Sequence, residues 1–446
     1  MTYHETRRHE LRKRRIVMVD GNLTANTESV DTGACARVYA GGYWGFASSS
    51  ATDASAQARV LDQARRNASA MQGFGVRDAH NLPAGSYRGE HPIAGKPALS
   101  QAEAVERLRA INAWAQKRYT GLQSLRLVMH DEHHGKWVTN SVGANVHSAI
   151  DRAAFYVMMT AQGDDGAPVE LFEPLSCKGS LADLDLSEAA LEPFFDTLHG
   201  HLQAKRHAVP ARGGDHCVVL APQLAGMLAH EAMGHPCEAD LVLGGSITGR
   251  LHGQRVASDL VTMIDVAHHF RGEETMVPVY ADDEGTPAED AVLIDRGILK
   301  TFMNSRDTAA RLGHAPTGSA RAYAPNDEPL VRMRNTVILP GERKLSDMIA
   351  EVDEGYYLVA TGNGQADSTT EFMFGVTLAY EIRKGKLGPA IRDTTLSGSA
   401  IKVLQSVDAV SDDMYWTASG YCGKKQPMVV SMGGPALRAR AQIGGE

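Results

Sequence analysis

Cysteine is scarce in this chain and arranged in no framework. Five residues, Cys35, Cys177, Cys217, Cys237 and Cys422, are spread over 446 positions, and no two form a C-x-x-C pair. An odd count at wide spacing argues against a set of disulfides and for a reducing compartment. Long apolar runs are missing as well. Nothing approaches a membrane span, and no apolar segment follows the basic residues near the start, so no secretory signal is read and the cytoplasm is the expected location. Excess positive charge is the third absence. A formal net charge of -8 leaves no electrostatic footprint for nucleic acid. The one basic cluster, Arg7-Arg8 and Arg12-Lys13-Arg14-Arg15, is interrupted by Glu10 and is expected to form a solvated N-terminal helix.

What is present is ordinary globular composition, with 43% hydrophobic and 22% charged residues. That length can bury more than one core. Ile16 to Val19, Cys35 to Tyr39 and Trp44 to Ala47 read as strands, and Ala56 to Met71 as a helix. Ser100 and Glu103 form a capping box opening a helix with Val105, Leu108, Ile111 and Ala115 on one side. From Leu125 to Phe172 the pattern alternates as strands. Asp185, with Glu188 three residues on, opens a helix to about His207, and Pro210 to Gly214 reads as a boundary. Beyond it comes a strand at Cys217 to Leu220. A helix begins near Pro222, with an apolar side of Leu224, Met227 and Leu228, and a strand-rich remainder follows. The expected fold is α+β in two domains: 1–208, mixed helix and strand, and 209–446, strand-rich around that helix.

The helix at Pro222 carries the chemistry. It contains His230-Glu231-Ala232-Met233-Gly234-His235, which is the zinc-hydrolase string H-E-x-x-H with one residue too many. Side chains five apart on a regular α-helix point about 140° apart, against about 40° at a spacing of four. Two imidazoles so placed reach one metal only if the helix takes a π-bulge, with i→i+5 bonding, or ends at the second histidine. Pro236, which disfavours a helical His235, suits either. On spacing alone, two histidines bonded to nearby backbone explain the string equally well. A catalytic zinc needs a third protein ligand. Cys422, in a turn-forming stretch beside Gly423, Lys424 and Lys425, is one candidate, because positive charge favours a thiolate. Cys237, two residues beyond His235, is its competitor. Cys35 and Cys217 sit in apolar runs and read as small buried hydrophobes.

Several short segments in order resemble one family, the TldD/PmbA (TldD/TldE) metallopeptidases. They are Trp44-Gly45-Phe46-Ala47-Ser48, the metal motif continued through Glu238 and Asp240, Asp282-Asp283-Glu284-Gly285, Gly297-Ile298-Leu299-Lys300, Thr317-Gly318, Gly362-Asn363-Gly364-Gln365 and Cys422-Gly423-Lys424. The resemblance implies that His230, His235 and Cys422 hold a zinc ion, and that Glu231 is the catalytic base that activates its water. It further implies an active, TldD-like subunit that cleaves unfolded or leader-type peptides, bound extended against a sheet edge. A dimer is implied too, with a PmbA/TldE-like chain or with itself. The tail after Cys422 departs from the family's usual Gly-Lys-x-Gly-Gln.

Two other readings compete. One is a scaffold subunit with a structural zinc closed by Cys237 as fourth ligand; the other is a hydrolase of small amides. Glu238 and Asp240 read as acceptors for the histidine N–H groups. His130-Asp131-Glu132-His133-His134, followed by Gly135, reads as a polar hairpin tip, and His268-His269 as a loop. Asp282-Asp283-Glu284 is expected to be a loop whose three carboxylates cannot all point inward.

Overall fold

The computed structural model describes residues 2–75, 79–93 and 95–445. Its first sheet has seven strands: β1 (Tyr3–Val19), β2 (Asn22–Ala40), β3 (Tyr43–Ser49), β4 (Arg88–Ile93), β5 (Ser124–Asn140), β6 (Asn145–Gln162) and β7 (Pro168–Lys178). They run in the order β3-β2-β1-β5-β6-β4, with β7 also on β6. Three helices pack on it: α1 (Ala54–Met71), α2 (Gln101–Arg118) and α3 (Glu188–Arg206). The capping box at Ser100 and Glu103 is formed, while α3 is capped by Ser187 rather than Asp185. Under α2 and α3 lies an apolar core that includes Ile16, Leu108, Phe155 and Phe195.

Two expectations fail here for the same reason. The basic cluster is strand β1, not a helix, and Arg7 and Arg14 are buried. His130 to His134 lie in the middle of β5, paired with β1 on one side and β6 on the other. Period-2 burial is hard to see where the buried face is charged. Glu5, Arg7 and His9 alternate inward along β1, with Arg37 opposite Glu5. That face is polar because it meets another protein surface, the second half of the chain.

The second half opens with β8 (Gly214–Leu220). β8 lies between strands Glu354–Ala366 and Leu437–Ile443, and pairing through Thr394–Ser399 and Glu371–Arg383 closes a ring of five strands. Helix α4 (Pro222–Leu228) follows β8 with its proline in the first turn, where the missing N–H costs nothing. Leu224 and Leu228 sink into the main core beside Leu358, Phe374 and Leu437. The fold is α+β, as expected.

The halves meet through buried charge, and the acidic triplet is the hub. Contrary to expectation, Asp282, Asp283 and Glu284 are all buried, because a tight turn gives each carboxylate its own donors. Asp282 accepts from the backbone of Glu284, Thr286 and Ala320. Asp283 accepts from Lys136 Nζ at 2.7 Å, and Glu284 from Arg37 and the backbone of Arg306. Burial and the Glu284 charge push Asp282 up to about 8.

Gly45, in the Trp-Gly-Phe segment, lets β3 touch α1, since a Cβ there would lie 2.2 Å from the Ala64 carbonyl oxygen and 2.3 Å from the Ala68 nitrogen. Gly45→Ala is expected to cost about 1–3 kcal/mol as overpacking, read as a lower melting temperature. Gly73→Ala, with nothing within 4 Å of its added Cβ, should stay within about 0.5 kcal/mol. Equal melting temperatures would refute the close packing.

Candidate metal centre

The helix changes pitch at the motif. Residues Ala229–Gly234 form a π-helical turn, and a 3-10 turn, His235–Cys237, follows. The defining bond is made by the histidines themselves: the His235 N–H donates to the His230 carbonyl, five residues back. The wider turn brings the two rings to one side, with centroids 5.1 Å apart. Two glycines permit the local packing. A Cβ on Gly234 would sit 2.3 Å from Met333 Sδ, and one on Gly226 would meet the backbone of Gly433 at 3.2 Å. The helix therefore lies directly on the strand Ser431–Gly434.

The third candidate ligand comes from a two-stranded ribbon, Tyr421–Lys424 with Gln426–Val429. Cys422 Sγ lies 3.2 Å from His235 Nε2, across 187 residues of sequence. Donor atoms of His230, His235 and Cys422 all fall within 4.8 Å of one another. Zinc with Zn–N of about 2.0–2.1 Å and Zn–S of about 2.3 Å needs donors roughly 3.3–3.6 Å apart; the Cys422–His235 pair is close to that spacing, and the three donors are near enough to converge on one ion. Cys237 is outside it: its thiol is fully buried and pushed up by that burial, and its carbonyl accepts from the Met303 N–H. A site closed by Cys237 loses its fourth ligand. Cys35 is buried as expected, whereas Cys217 is half-buried.

Charge around the cluster also suits a cation. His230 is 1% exposed; burial, with His235 and Arg332 nearby, holds its pKa well below the usual range. It is therefore neutral, the form that binds metal, and its buried Nδ1 has no hydrogen-bond partner. His235 behaves oppositely. Burial opposes its cation, but Glu238 and Cys422 carry its pKa up to about 10. Its ring thus sits where positive charge is favoured, between a sulfur and a carboxylate. Glu238 Oε2 accepts a hydrogen bond from His235 Nδ1–H at 2.8 Å and so turns Nε2 toward Cys422. Glu231 Oε2 lies 3.9 Å from His235 Nε2 with its side chain one-fifth exposed, and burial raises its pKa.

Sequence alone marks Lys424 only as positive charge beside Cys422, not as a holding residue, and gives no sign of Arg332. Lys424 Nζ bonds both Asp240 oxygens at 2.9 Å, reaches Glu238 at 3.2 Å and donates to the Val331 carbonyl. It thereby ties the ribbon to the carboxylate that orients His235, and engages Asp240, which had been expected to face a histidine. Arg332, fully buried, donates to the carbonyls of Cys422, Lys424 and Gln426. Lys424 stands beside Cys422 in sequence and could have been found from that; Arg332 has no local signal.

Known proteins resemble this chain over nearly its whole length. Residues 213–445 match the PmbA/TldA metallopeptidase C-terminal domain, and 5–68 match domain 1 of the same group. The chain is 30% identical to a metalloprotease of Methanothermobacter thermautotrophicus, covering 99% of this chain and 95% of that protein. It is 29% identical to a zinc metalloprotease TldD homolog of Saccharolobus solfataricus over 78% of this chain and 77% of the relative. The crystal structure of TldE from Thermococcus kodakarensis superposes with a TM-score of 0.80 at 18% identity, covering 99% of this chain and 97% of that one; at that identity the likeness speaks for the fold.

Metal content separates the two cysteines. Cys422→Ser is expected to lose most of about one bound zinc per chain, and Cys237→Ser to keep it, by elemental analysis of the folded variants. The reverse pattern would put the third ligand at Cys237.

Proposed function

The chain belongs to the PmbA/TldD metallopeptidase family, and from that premise we propose that it is a zinc-dependent peptidase and the active, TldD-like kind of subunit. One observation carries the reading: two imidazoles and a cysteine sulfur from distant segments meet within 4.8 Å, with the Glu231 carboxylate beside them. A zinc ion held there would supply Lewis acidity to a peptide carbonyl and make water a nucleophile at neutral pH. The rest falls to the protein. Glu231 accepts a proton at Oε2 and returns it to the leaving amine. Glu238 keeps His235 in one tautomer, and Lys424 holds Glu238 in place.

The proposed substrate is an unfolded or leader-type peptide lying extended. Among the described residues β4 ends the first sheet, so it offers free N–H and C=O groups for strand addition. His91 and Ile93 of β4 line a cleft that also contains Glu132, Arg152 and Met428, and Met428 is paired with Cys422. We place the working unit in the cytoplasm as a dimer, with a TldE-like chain or with a second copy. Residues 1–208 and 209–446 are taken as its two domains, the first built on the β1–β7 sheet. No helix among the described residues is long and apolar enough to cross a membrane.

Glu231→Gln, nearly isosteric, should keep zinc and fold while losing about 10²–10⁴-fold in peptide hydrolysis, the usual worth of a general base. Activity within a fewfold of wild type would place the base elsewhere. Substrate state is tested with one protein in native form and as a permanently unfolded variant. Cleavage is expected only of the unfolded one, because a folded domain has already paired its backbone. Equal cleavage of both would remove strand addition.

A further inference from the structure

The ribbon that presents Cys422 is small, and a two-stranded hairpin is marginal by itself in water. The segment that leads into it, residues 418–420, belongs to no strand. Yet its three successive carbonyls are all taken up by β6. Arg152 donates to Ala418 and Gly420, and the Tyr156 hydroxyl donates to Ser419 at 2.7 Å. Ser176 of β7 accepts from the Ala418 N–H at 3.3 Å. Arg152 is itself set in place. It faces Glu132 across the β5–β6 ladder, bonds it at 3.1 Å, and lies 4.7 Å over the ring of Tyr421, the neighbour of Cys422. The Tyr421 hydroxyl, in turn, meets Glu132 and His130, each at 2.7 Å.

We propose that Arg152 and Tyr156 are positioning residues of the metal centre: the N-terminal sheet, through the carbonyls of residues 418–420, sets where Cys422 stands relative to the histidine pair. The proposal rests on His230, His235 and Cys422 being the ligands. Its physical basis is entropy. A thiol on a loosely held ribbon must be ordered each time it binds, whereas one held from outside is already in place. One guanidinium nitrogen of Arg152 reaches both carbonyls while the other is held by Glu132, and this division between two fixed nitrogens sets direction as well as distance, which the single nitrogen of a lysine cannot reproduce. The spacing of the histidine pair, by contrast, is set within one helical turn.

The test uses the full chain as wild type, Arg152→Gln, Arg152→Lys, Tyr156→Phe and Cys422→Ser. Zinc affinity is measured by competition with a chelator, and thiolate ligation by the sulfur-to-cobalt absorption band at saturating cobalt(II). Circular dichroism of the metal-free proteins checks the fold. Arg152→Gln should bind zinc about 10–100-fold more weakly, as when outer-shell partners are lost, with a weakened or shifted cobalt band. Arg152→Lys should fall short likewise. Tyr156→Phe should lose about 2–10-fold, the worth of one hydrogen bond. A role in stability alone would leave the band at saturation unchanged. Wild-type affinity and band in folded Arg152→Gln, or full recovery in Arg152→Lys, would overturn the proposal. Should Arg152→Gln not fold, Tyr156→Phe decides, and unchanged affinity there overturns it. Cys422→Ser keeping wild-type affinity would instead overturn the ligand assignment, and this proposal with it.

Discussion

The hydrogen bond from the His235 N–H to the His230 carbonyl is the constraint on which the centre depends. It inserts one residue into a helical turn and so converts a spacing of five, useless on an α-helix, into two rings on one side. A π-turn is less favourable than the α-turn it replaces, and it persists here because the surroundings leave no alternative. Gly234 lies against Met333, Gly226 against Gly433, and Pro236 prevents the regular helix from continuing. The helix is buried among apolar side chains of the larger core, so the distortion is held by packing.

The electrostatics follow from that placement. Buried charge is costly unless paired, and around the motif the pairing forms a chain. Lys424 neutralises Asp240 and Glu238, Glu238 orients His235, and His235 faces Cys422. Each member has a partner on one side and hands the next a fixed orientation. At the end of the chain, two nitrogen donors and a sulfur converge with a carboxylate beside them. His230, neutral and unpartnered at Nδ1, completes a set that a divalent cation would satisfy better than a proton.

The junction of the two halves works on the same principle at larger scale. The inner face of the first sheet is charged, and it is satisfied by a turn of three acidic residues from the second half. Few apolar contacts could specify a register between the halves so narrowly, because an arginine fork accepts only a few positions of its partner. The same face supplies Arg152 and Tyr156 to the Cys422 segment. The candidate centre thus lies in the second half but is held from both.

Local pattern by itself determined the elements whose signals are local. The capping box at Ser100, the proline-started helix at Pro222 and the need for a bulge or an ending at His235 were all legible, because sterics and hydrogen bonds within a few residues decide them. The polar stretches of β1 before Ile16 and of β5 from His130 to Gly135 were not legible as strand, since their buried faces are polar and hydrophobic alternation is the signal that marks a strand. The three inward carboxylates at 282–284 were misread because each also draws a donor from a distant element, Ala320, Lys136 and Arg306 respectively. Choosing Cys422 over Cys237 likewise lay beyond local pattern, and the family likeness supplied it. Only the tertiary structure brings the sulfur to 3.2 Å from His235, because that contact is made by a ribbon whose position Lys424, Arg332 and β6 fix from far away in the chain.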